Sequence, residues 1–277
     1  MPEFPNLTFL PVDCLLIHER HDDQRTLPLI QRIRSSGVFR NPPIVAPLDD
    51  GSNRHMVLDG ANRVTALRQM GYPHALVQVV QPDSPGLTLH TWNHVVWEMN
   101  AERFIRGVRA LPGARLVVID DPDASPDLEG DCGLAFVESA GGGKYAVCAK
   151  SDDLETHINL LNDLVDSYKD RARYDRTSLH DAGHLSEIYP SFCGLVIFPN
   201  FRILDLLRLA GQAYLLPAGV TRFLISPRAL HVNYPLHELA ADKPIQDKNQ
   251  TLDEWIKQRL AHKGVRYYAE ATYLFDE

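Results

Sequence analysis

The sequence predicts a mixed α/β protein made of two lobes that share one cleft. Between residues 10 and 80, short apolar runs typical of strands alternate with segments whose apolar residues recur at helical spacing. Glycines and prolines separate these segments, as expected for short connections. A chain of 277 residues is long enough for two such units. We therefore expect an N-terminal module over residues 1–82 and a second α/β lobe over residues 83–277.

The predicted N-terminal module contains four strands and two helices. Strands are expected in "CLLIHE", "PPIVAPL", "HMVLD" and "ALVQVV", where apolar residues dominate. The segment "LPLIQRIRSSG" predicts a helix that ends at Gly37. Val64, Leu67 and Met70 predict a second helix after the third strand. Together these elements form a compact α/β unit.

The middle of the chain predicts a hairpin and an amphipathic helix. The segment "CGLAFVESAGGGKYAVCAK" has two strand-like runs around a glycine turn. Its triple glycine and Lys144 resemble a phosphate loop, but the full spacing and the following Ser or Thr are missing, which favours the hairpin. In "SDDLETHINLLNDLVDSY" the apolar residues form one helical stripe. The basic run "YKDRARYDR" is interpreted as a solvated helix face, with docking of an acidic partner as the alternative.

The last third of the chain predicts two helices and two strands. A helix is expected in "FRILDLLRLAG", followed by a strand in "VTRFLIS". Thr251 and Glu254 have the spacing of a capping box at the start of another helix. The segment "VRYYAEATYLF" is predicted to be a strand.

Composition restricts the class of protein. Hydrophobic content of 44% and charged content of 23% are ordinary for a soluble globular chain. A net charge of −8 makes nucleic acid an unlikely partner, although it does not rule out a local basic groove. No apolar run reaches the roughly 18 residues of a membrane span, and the N-terminus lacks the pattern of a signal peptide. Four cysteines without CxxC spacing suggest buried reduced thiols. We expect a cytoplasmic protein.

The stretch "HMVLDGANR" places a carboxylate beside a predicted anion site. A strand that turns through Gly60 into a helix leaves backbone N–H groups pointing outward, and such groups commonly hold a phosphate. Asp59 would repel that phosphate unless a divalent cation lay between them or a substrate proton had to be taken. The simpler interpretation of Asp59 is a helix N-cap.

Other polar residues lie near the same predicted edge of the sheet. Glu19, like Asp59, follows a strand, and α/β sheets bind ligands with the loops at the ends of their strands. Asn62 and Arg63 fall in the first helical turn, where they could reach phosphate oxygens. Alternatively, Glu19 is a solvated loop acid and Arg63 a surface helix residue. His18 and His21 are interpreted as polar loop residues and not as zinc ligands.

These residues resemble the ParB/sulfiredoxin-like nucleotide-binding module, and within it the free L-serine kinases. The family pattern has a His-Glu pair, an Arg-Asn-Pro entry to the next strand and an Asp-Gly-x-x-Arg turn. This chain matches it in order and spacing with His18-Glu19, Arg40-Asn41-Pro42 and 59–63. Ala61 and Asn62 stand where the family often has two histidines. The segments "LHTWNHVVW" and "LPAGVTRFLISPRALHVNYPLHEL" are similar to the family's substrate-side segments.

The resemblance implies transfer of a phosphoryl group from ATP or ADP to the hydroxyl of free L-serine. It implies that Glu19 is the general base and that Asp59 holds Mg²⁺ or orients the hydroxyl. By the same resemblance, phosphate-binding residues are Gly60, Ala61, Asn62 and Arg63, and serine-binding residues are Trp92, Thr221 and Arg222.

Two other functions are alternatives to a kinase. A ParB-like module also occurs in nucleotide-dependent DNA-binding or regulatory proteins, because a fold does not determine a function. Against this, no convincing helix-turn-helix follows the module and the charge is acidic. A sulfiredoxin-like reductase would need a cysteine beside the phosphate turn, and Ala61 occupies that place.

Overall fold

The structure is a computed structural model that describes residues 4–20, 26–48, 50–119, 133–151 and 153–268. The mixed α/β class predicted from the sequence is confirmed. The N-terminal part contains, in chain order, β1 (Asn6–Pro11), a short 3-10 helix (Val12–Cys14), β2 (Leu15–Ile17), α1 (Thr26–Ser36), β3 (Val38–Phe39), β4 (Ile44–Pro47), β5 (His55–Asp59), α2 (Ala61–Gln69) and β6 (His74–Val79).

The remainder of the described chain adds further strands and helices. The middle part contains β7 (Leu87–Thr91), β8 (Asn93–Trp97), α3 (Ala101–Arg109), β9 (Ala114–Val118), β10 (Ala135–Ser139), β11 (Lys144–Ala149), α4 (Leu154–Asp166), β12 (Arg173–Thr177), α5 (Ala182–Ile188), β13 (Phe192–Ile197) and α6 (Ile203–Gly211). The C-terminal part contains β14 (Thr221–Ile225), β15 (Tyr234–Pro235), α7 (Leu236–Ala240) and α8 (Ile245–Ala261).

The first sheet has five strands in the order β1-β6-β4-β5-β2. β2 runs parallel to β5, and β4 runs antiparallel to β5. Successive side chains of a strand point to opposite faces. On β5, Val57 therefore packs with residues of α1 and α2, whereas Met56 and Leu58 pack with α6. Both faces of this sheet are buried, which explains the continuous apolar runs in the sequence.

The second sheet has six strands in the order β12-β8-β13-β10-β11-β9, and all its neighbouring strands are antiparallel. One face packs against α3 and α4, as shown by Phe104 and Leu161 in the same core as Val137. The other face packs against α5 through Leu185. Because α6 lies in the core that also contains Met56, the two sheets share one hydrophobic interior.

Three contacts tie the C-terminal part of the chain to the first sheet. β15 pairs with β3, Tyr234 packs edge-on against Phe9, and Leu252 of α8 lies in the core of the N-terminal lobe. The boundary predicted at residue 82 remains a proposal. We propose to extend it, so that β15, α7 and α8 are counted with the N-terminal lobe.

Several predictions about local structure are wrong. Part of the basic run 168–176 forms β12, since it pairs with β8, so it is not a helix face. Thr251 lies inside α8, which starts at Ile245 after Pro244, and its hydroxyl donates to the Asp247 carbonyl at 2.9 Å instead of capping a helix. The predicted C-terminal strand is not formed by 265–268, and the rest of it lies outside the described residues.

The prediction of reduced cysteines is confirmed for two of the three cysteines that the structure describes. Cys14 and Cys193 are free thiols, and burial raises the pKa of Cys193 to about 12, as expected for an inert core thiol. Cys148 is disulfide-bonded, so the prediction is wrong for that residue. Cys132 and the acidic connection before it lie outside the described residues. No helix in the described ranges is long and apolar enough to cross a membrane.

Candidate active site

Parallel pairing of β2 and β5 brings the two predicted acids to one edge of the first sheet. In the register of these strands, Ile17 lies opposite Val57. Glu19 and Asp59 each follow that pair by two residues, so both lie at the carboxyl ends of neighbouring strands. In open α/β sheets this edge is where ligands bind.

Asp59 does not cap α2. The N-cap position of that helix is Gly60, and no side chain caps it. The Asp59 carboxylate instead accepts hydrogen bonds on Oδ2 from two guanidinium groups, those of Arg63, at 3.1 Å, and Arg228. A carboxylate at the predicted anion site is thus balanced by two cations.

Arg63 is not a surface residue. Its side chain is 20% exposed, and Nη1 donates to the Asn41 carbonyl at 3.0 Å. Burial lowers the pKa of Arg63 to about 10, which still leaves the guanidinium charged at neutral pH. The Asn41 side chain also accepts from the backbone N–H of His231 at 2.8 Å. The Arg-Asn-Pro motif therefore holds Arg63 and connects it to the C-terminal loop.

The sequence did not identify Arg228 as a site residue. Gln78 of β6 is 2% exposed, and its side-chain amide forms hydrogen bonds with the residues before and after Arg228. Its Nε2 donates to the Pro227 carbonyl at 2.9 Å, and its Oε1 accepts from the Ala229 N–H at 2.9 Å. One buried polar side chain in the apolar run "ALVQVV" was a signal that could have pointed to this loop.

The turn between β5 and α2 is shaped for close approach of a ligand. Gly60 has φ +98°, a left-handed conformation that favours glycine. A Cβ at this position would lie 2.7 Å from Arg63 Nη2, so a larger residue would displace the guanidinium. Ala61 and Asn62 precede the first intrahelical donor, Arg63 N, and their N–H groups have no intrahelical acceptor. Asn62 Oδ1 is buried without a hydrogen-bond partner, which a bound ligand could supply.

Glu19 is held by the segment that leads into β14. Its Oε2 accepts from the Gly219 N–H at 2.7 Å, and its Oε1 accepts from the Thr221 N–H at 2.6 Å. The Thr221 hydroxyl lies 2.5 Å from the same Oε1. With a side chain only 16% exposed, Glu19 is an ordered carboxylate and not a solvated loop acid.

His18 is a buried residue and not a polar loop residue. It is 6% exposed, its Nδ1 lies 2.8 Å from the Val57 carbonyl, and its Nε2 lies 2.9 Å from the Thr221 hydroxyl. Desolvation lowers the pKa of His18, an effect that the charge of Glu19 partly offsets. His21 lies outside the described residues.

The three predicted serine-binding residues lie together beside Glu19. β14 pairs with β7, which precedes Trp92. The backbone N–H of Trp92 donates to the Val220 carbonyl at 2.8 Å. The Arg222 guanidinium lies 4.3 Å from the centre of the Trp92 ring, within the range of a cation–π contact. Trp92 is half-buried, so it is not a core tryptophan.

The residues present fit a magnesium ion that is held mainly by phosphates. Magnesium in phosphoryl-transfer sites usually keeps several waters and takes one or two protein carboxylates. Asp59 offers one such carboxylate, because both guanidinium groups bond to Oδ2. In the described part of the chain, no three His, Cys, Asp or Glu side chains form a cluster for a fully protein-bound metal.

A separate cavity of about 740 Å³ lies at the other end of β5, where its lining includes Arg54 and Gly211. Arg54 is held there by Asp50 at 2.9 Å and by the Gly211 carbonyl at 3.1 Å. Pro47 lies opposite His55 in the β4–β5 register, which puts this cavity at the edge of the sheet away from Asp59.

Known proteins with similar sequences are serine kinases. The chain is 25% identical over 98% of its length to the ATP-dependent L-serine kinase SbnI of Staphylococcus aureus, and the match covers 98% of that kinase. It is 34% identical over 30% of its length to an ATP-dependent L-serine kinase of Staphylothermus marinus, covering 32% of that protein. An ADP-dependent L-serine kinase, SerK of Thermococcus kodakarensis, is 25% identical over 47% of this chain and 52% of its own. No family model matches the sequence.

Solved structures show the same fold. C-terminally truncated SbnI from S. aureus superposes with a TM-score of 0.72 at 23% identity, covering 94% of this chain and 98% of that one. A free serine kinase in complex with AMP superposes with a TM-score of 0.67 at 16% identity, covering 86% and 95%. The resemblance to free L-serine kinases that the sequence predicts is confirmed.

Proposed function

We propose that this protein is a free L-serine kinase, which transfers the terminal phosphoryl group of ATP or ADP to the serine hydroxyl to give O-phospho-L-serine. The observation that carries the proposal is the position of Glu19 and Asp59 on one sheet edge, around a glycine turn with two arginines. The similarity to an ATP-dependent L-serine kinase over 98% of both chains supports it.

In the proposed reaction, Glu19 takes the proton of the serine hydroxyl, because a neutral hydroxyl is a poor nucleophile at neutral pH. The serine oxygen forms a bond to the terminal phosphorus. The bond from that phosphorus to the bridging oxygen breaks, and the nucleotide leaves with one phosphate fewer. Solved structures of a free serine kinase in which one glutamate is replaced by alanine or glutamine fit a role for a glutamate in that protein.

The turn at Gly60 binds the phosphates in this proposal. The N–H groups of Ala61 and Asn62 have no intrahelical acceptor and would bind phosphate oxygens, because helix N-termini favour negative charge. Arg63 and Arg228 add two charge-assisted contacts. Mg²⁺, when bound by Asp59, would neutralise charge on the phosphate oxygens. Phosphoryl transfer needs mainly this positioning and neutralisation.

Trp92, Thr221 and Arg222 bind the amino acid in this proposal. The Arg222 guanidinium pairs with the serine carboxylate, and stacking on Trp92 keeps it in place. Because Thr221 N and Oγ1 already bond to Glu19, this residue would position the base close to the bound serine. We further propose that the protein works in the cytoplasm, where nucleotide and free serine are available.

The test is to incubate the purified protein with L-serine, Mg²⁺ and either ATP or ADP, and to detect phosphoserine by mass spectrometry. A Glu19→Gln protein purified in the same way controls for a contaminating kinase. Phosphoserine formed with one of the nucleotides, and lost in the control, would support the proposal. A folded protein that gives no phosphoserine with either nucleotide would refute it.

A further inference from the structure

His18, Thr221 and Glu19 form a hydrogen-bonded row in which the number of hydrogens can be counted. The Val57 carbonyl can only accept, so the contact at 2.8 Å requires a hydrogen on His18 Nδ1. In a neutral imidazole the other nitrogen, Nε2, then carries a lone pair and needs a donor. The Thr221 hydroxyl, at 2.9 Å, is that donor.

The same hydroxyl also faces Glu19, and it has only one hydrogen to donate. Thr221 Oγ1 lies 2.5 Å from Glu19 Oε1, a distance typical of a strong hydrogen bond to a carboxyl group. If the carboxylate is ionised and takes the hydrogen, Nε2 of His18 is left without a donor. If His18 takes the hydrogen, two oxygen lone pairs face each other across 2.5 Å.

One additional proton in the row satisfies every contact when it is placed on Glu19, and burial disfavours the alternative of placing it on His18. The protonated Oε1 donates to Thr221 Oγ1, and the Thr221 hydrogen turns to His18 Nε2. We infer that His18, acting through the Thr221 hydroxyl, is a positioning residue that makes Glu19 ready to accept a proton.

The inference rests on the proposed function, in which serine supplies that proton. The serine hydroxyl loses its hydrogen to Glu19, and its oxygen keeps the electron pair and bonds to phosphorus. The charge of the row changes from −1 to neutral, and His18 itself stays neutral. His18 touches no substrate in this scheme, so its contribution is made through the other two residues.

Other charged groups near the row come from the surrounding elements. Burial disfavours the cationic form of His18, and the charge that counteracts this is that of Glu19. In the described part of the chain, charged or titratable groups on elements around the row include Arg20, His55, Asp59, His90, Asp166, Arg176, Arg202, Asp205, Arg208 and Arg222. They are the same in all the variants below, so differences between these variants report on the row.

The kinetic test uses Thr221→Val and Thr221→Ser as a matched pair, because valine removes the hydroxyl with little change in shape and serine keeps it. In Thr221→Val, kcat should fall about tenfold and the acidic limb of its pH profile should move to lower pH, since the protonated base loses its acceptor. Thr221→Ser keeps the hydroxyl, so its loss in kcat should be smaller than that of Thr221→Val and its acidic limb should lie closer to that of the wild type. An unmoved acidic limb in a folded Thr221→Val protein would overturn the inference.

His18→Asn approaches the row from its other end, since asparagine can still donate to the Val57 carbonyl but offers no group at the Nε2 position. His18→Asn should show the same loss in kcat and the same shift in the acidic limb of the pH profile as Thr221→Val, with the KM for nucleotide unchanged. The double variant His18→Asn/Thr221→Val should lose no more than the larger single loss, because both changes break one link. Additive losses would indicate separate structural effects and overturn the inference. If His18→Asn does not fold, the Thr221 pair decides alone.

A test without turnover separates this inference from the kinase proposal. In protein labelled with ¹⁵N-histidine, the His18 signals should show hydrogen on Nδ1, and the Nε2 signal should shift when the pH is lowered. Thr221→Val and Glu19→Gln should each abolish that response, whereas Thr221→Ser should retain it. The same Nε2 response in the wild type and in Thr221→Val would overturn the inference, whether or not the protein makes phosphoserine.

Discussion

The two acids on the edge of the first sheet have opposite surroundings. Glu19 is held by neutral groups, the N–H groups of Gly219 and Thr221 and the Thr221 hydroxyl. Asp59 accepts from two guanidinium groups. Neutral donors fix the direction of a carboxylate without cancelling its charge, whereas cations cancel it. The same strand-end position thus produces one oriented carboxylate and one carboxylate paired with cations.

This difference explains why a carboxylate lies at the phosphate turn. Asp59 keeps Arg63 and Arg228 together at the start of α2. In the proposed reaction, an incoming phosphate would find both guanidinium groups already in place. Asp59 is then left next to negative oxygens, where a divalent cation would relieve the repulsion.

The largest expected effect is the loss of kcat when Glu19, the acid held by neutral groups, is replaced. Glu19→Gln keeps the size of the side chain but cannot accept the serine proton, so kcat should fall about 10²–10⁴-fold. The affinity for nucleotide, measured by calorimetry, should stay near the wild type, because Glu19 makes no contact with the phosphate turn in this account. A loss of nucleotide affinity equal to the loss in kcat would contradict the assignment of Glu19 as a base.

The next effect tests the phosphate side of the site. Arg63→Ala removes charge-assisted contacts worth roughly 1.5–3 kcal/mol, which corresponds to a Kd for nucleotide about 10 to 150 times higher. Arg54→Ala is the matched control, because Arg54 precedes the same strand at its other end and pairs with Asp50. Calorimetric titration should show a weaker Kd only in Arg63→Ala. Equal values in both variants would remove Arg63 from the nucleotide site.

Arg228→Ala should have a smaller effect on the same Kd. The side chain is 36% exposed, compared with 20% for Arg63, and water screens an exposed charge more strongly. We expect a loss of about 1 kcal/mol, or roughly fivefold in Kd. Gln78→Leu should approach this loss, because it releases the loop that carries Arg228. A Gln78→Leu protein of normal stability and normal nucleotide Kd would show that the loop needs no such support.

The smallest effect concerns the amino acid and should leave the nucleotide untouched. Arg222→Ala should raise the KM for serine roughly fivefold, as expected for loss of about 1 kcal/mol from a partly exposed ion pair. Trp92→Phe keeps an aromatic ring under the guanidinium and should change KM less. Steady-state kinetics at saturating nucleotide gives both values. A KM in Arg222→Ala equal to that of the wild type would exclude the proposed carboxylate contact.

Much of the N-terminal lobe could be predicted because its signals are local. Gly37 and Gly60 both have positive φ, at the end of α1 and the start of α2 as the sequence indicated. The apolar runs became β2, β4, β5 and β6 because both faces of that sheet are covered. Local chemistry was sufficient for these elements.

Features that depend on distant partners could not be predicted in the same way. The run at 168–176 has helical composition but completes the edge of the second sheet beside β8. Tertiary pairing there overrides local propensity. Arg228 and His18 were missed as site residues for the same reason, because Gln78 and Thr221, which hold them, are 150 and 203 residues away in the sequence.

The comparison of the two acids is tested most directly by one measurement, the rate of phosphoserine formation over a range of Mg²⁺ concentrations in Asp59→Asn and Glu19→Gln. Asp59→Asn should need more Mg²⁺ for half-maximal rate, and added metal should restore part of its activity, because its main loss is in metal and charge balance. Added Mg²⁺ should not restore Glu19→Gln. A Glu19→Gln protein that keeps more than about a third of the wild-type kcat, or that recovers with metal as Asp59→Asn does, would contradict the account.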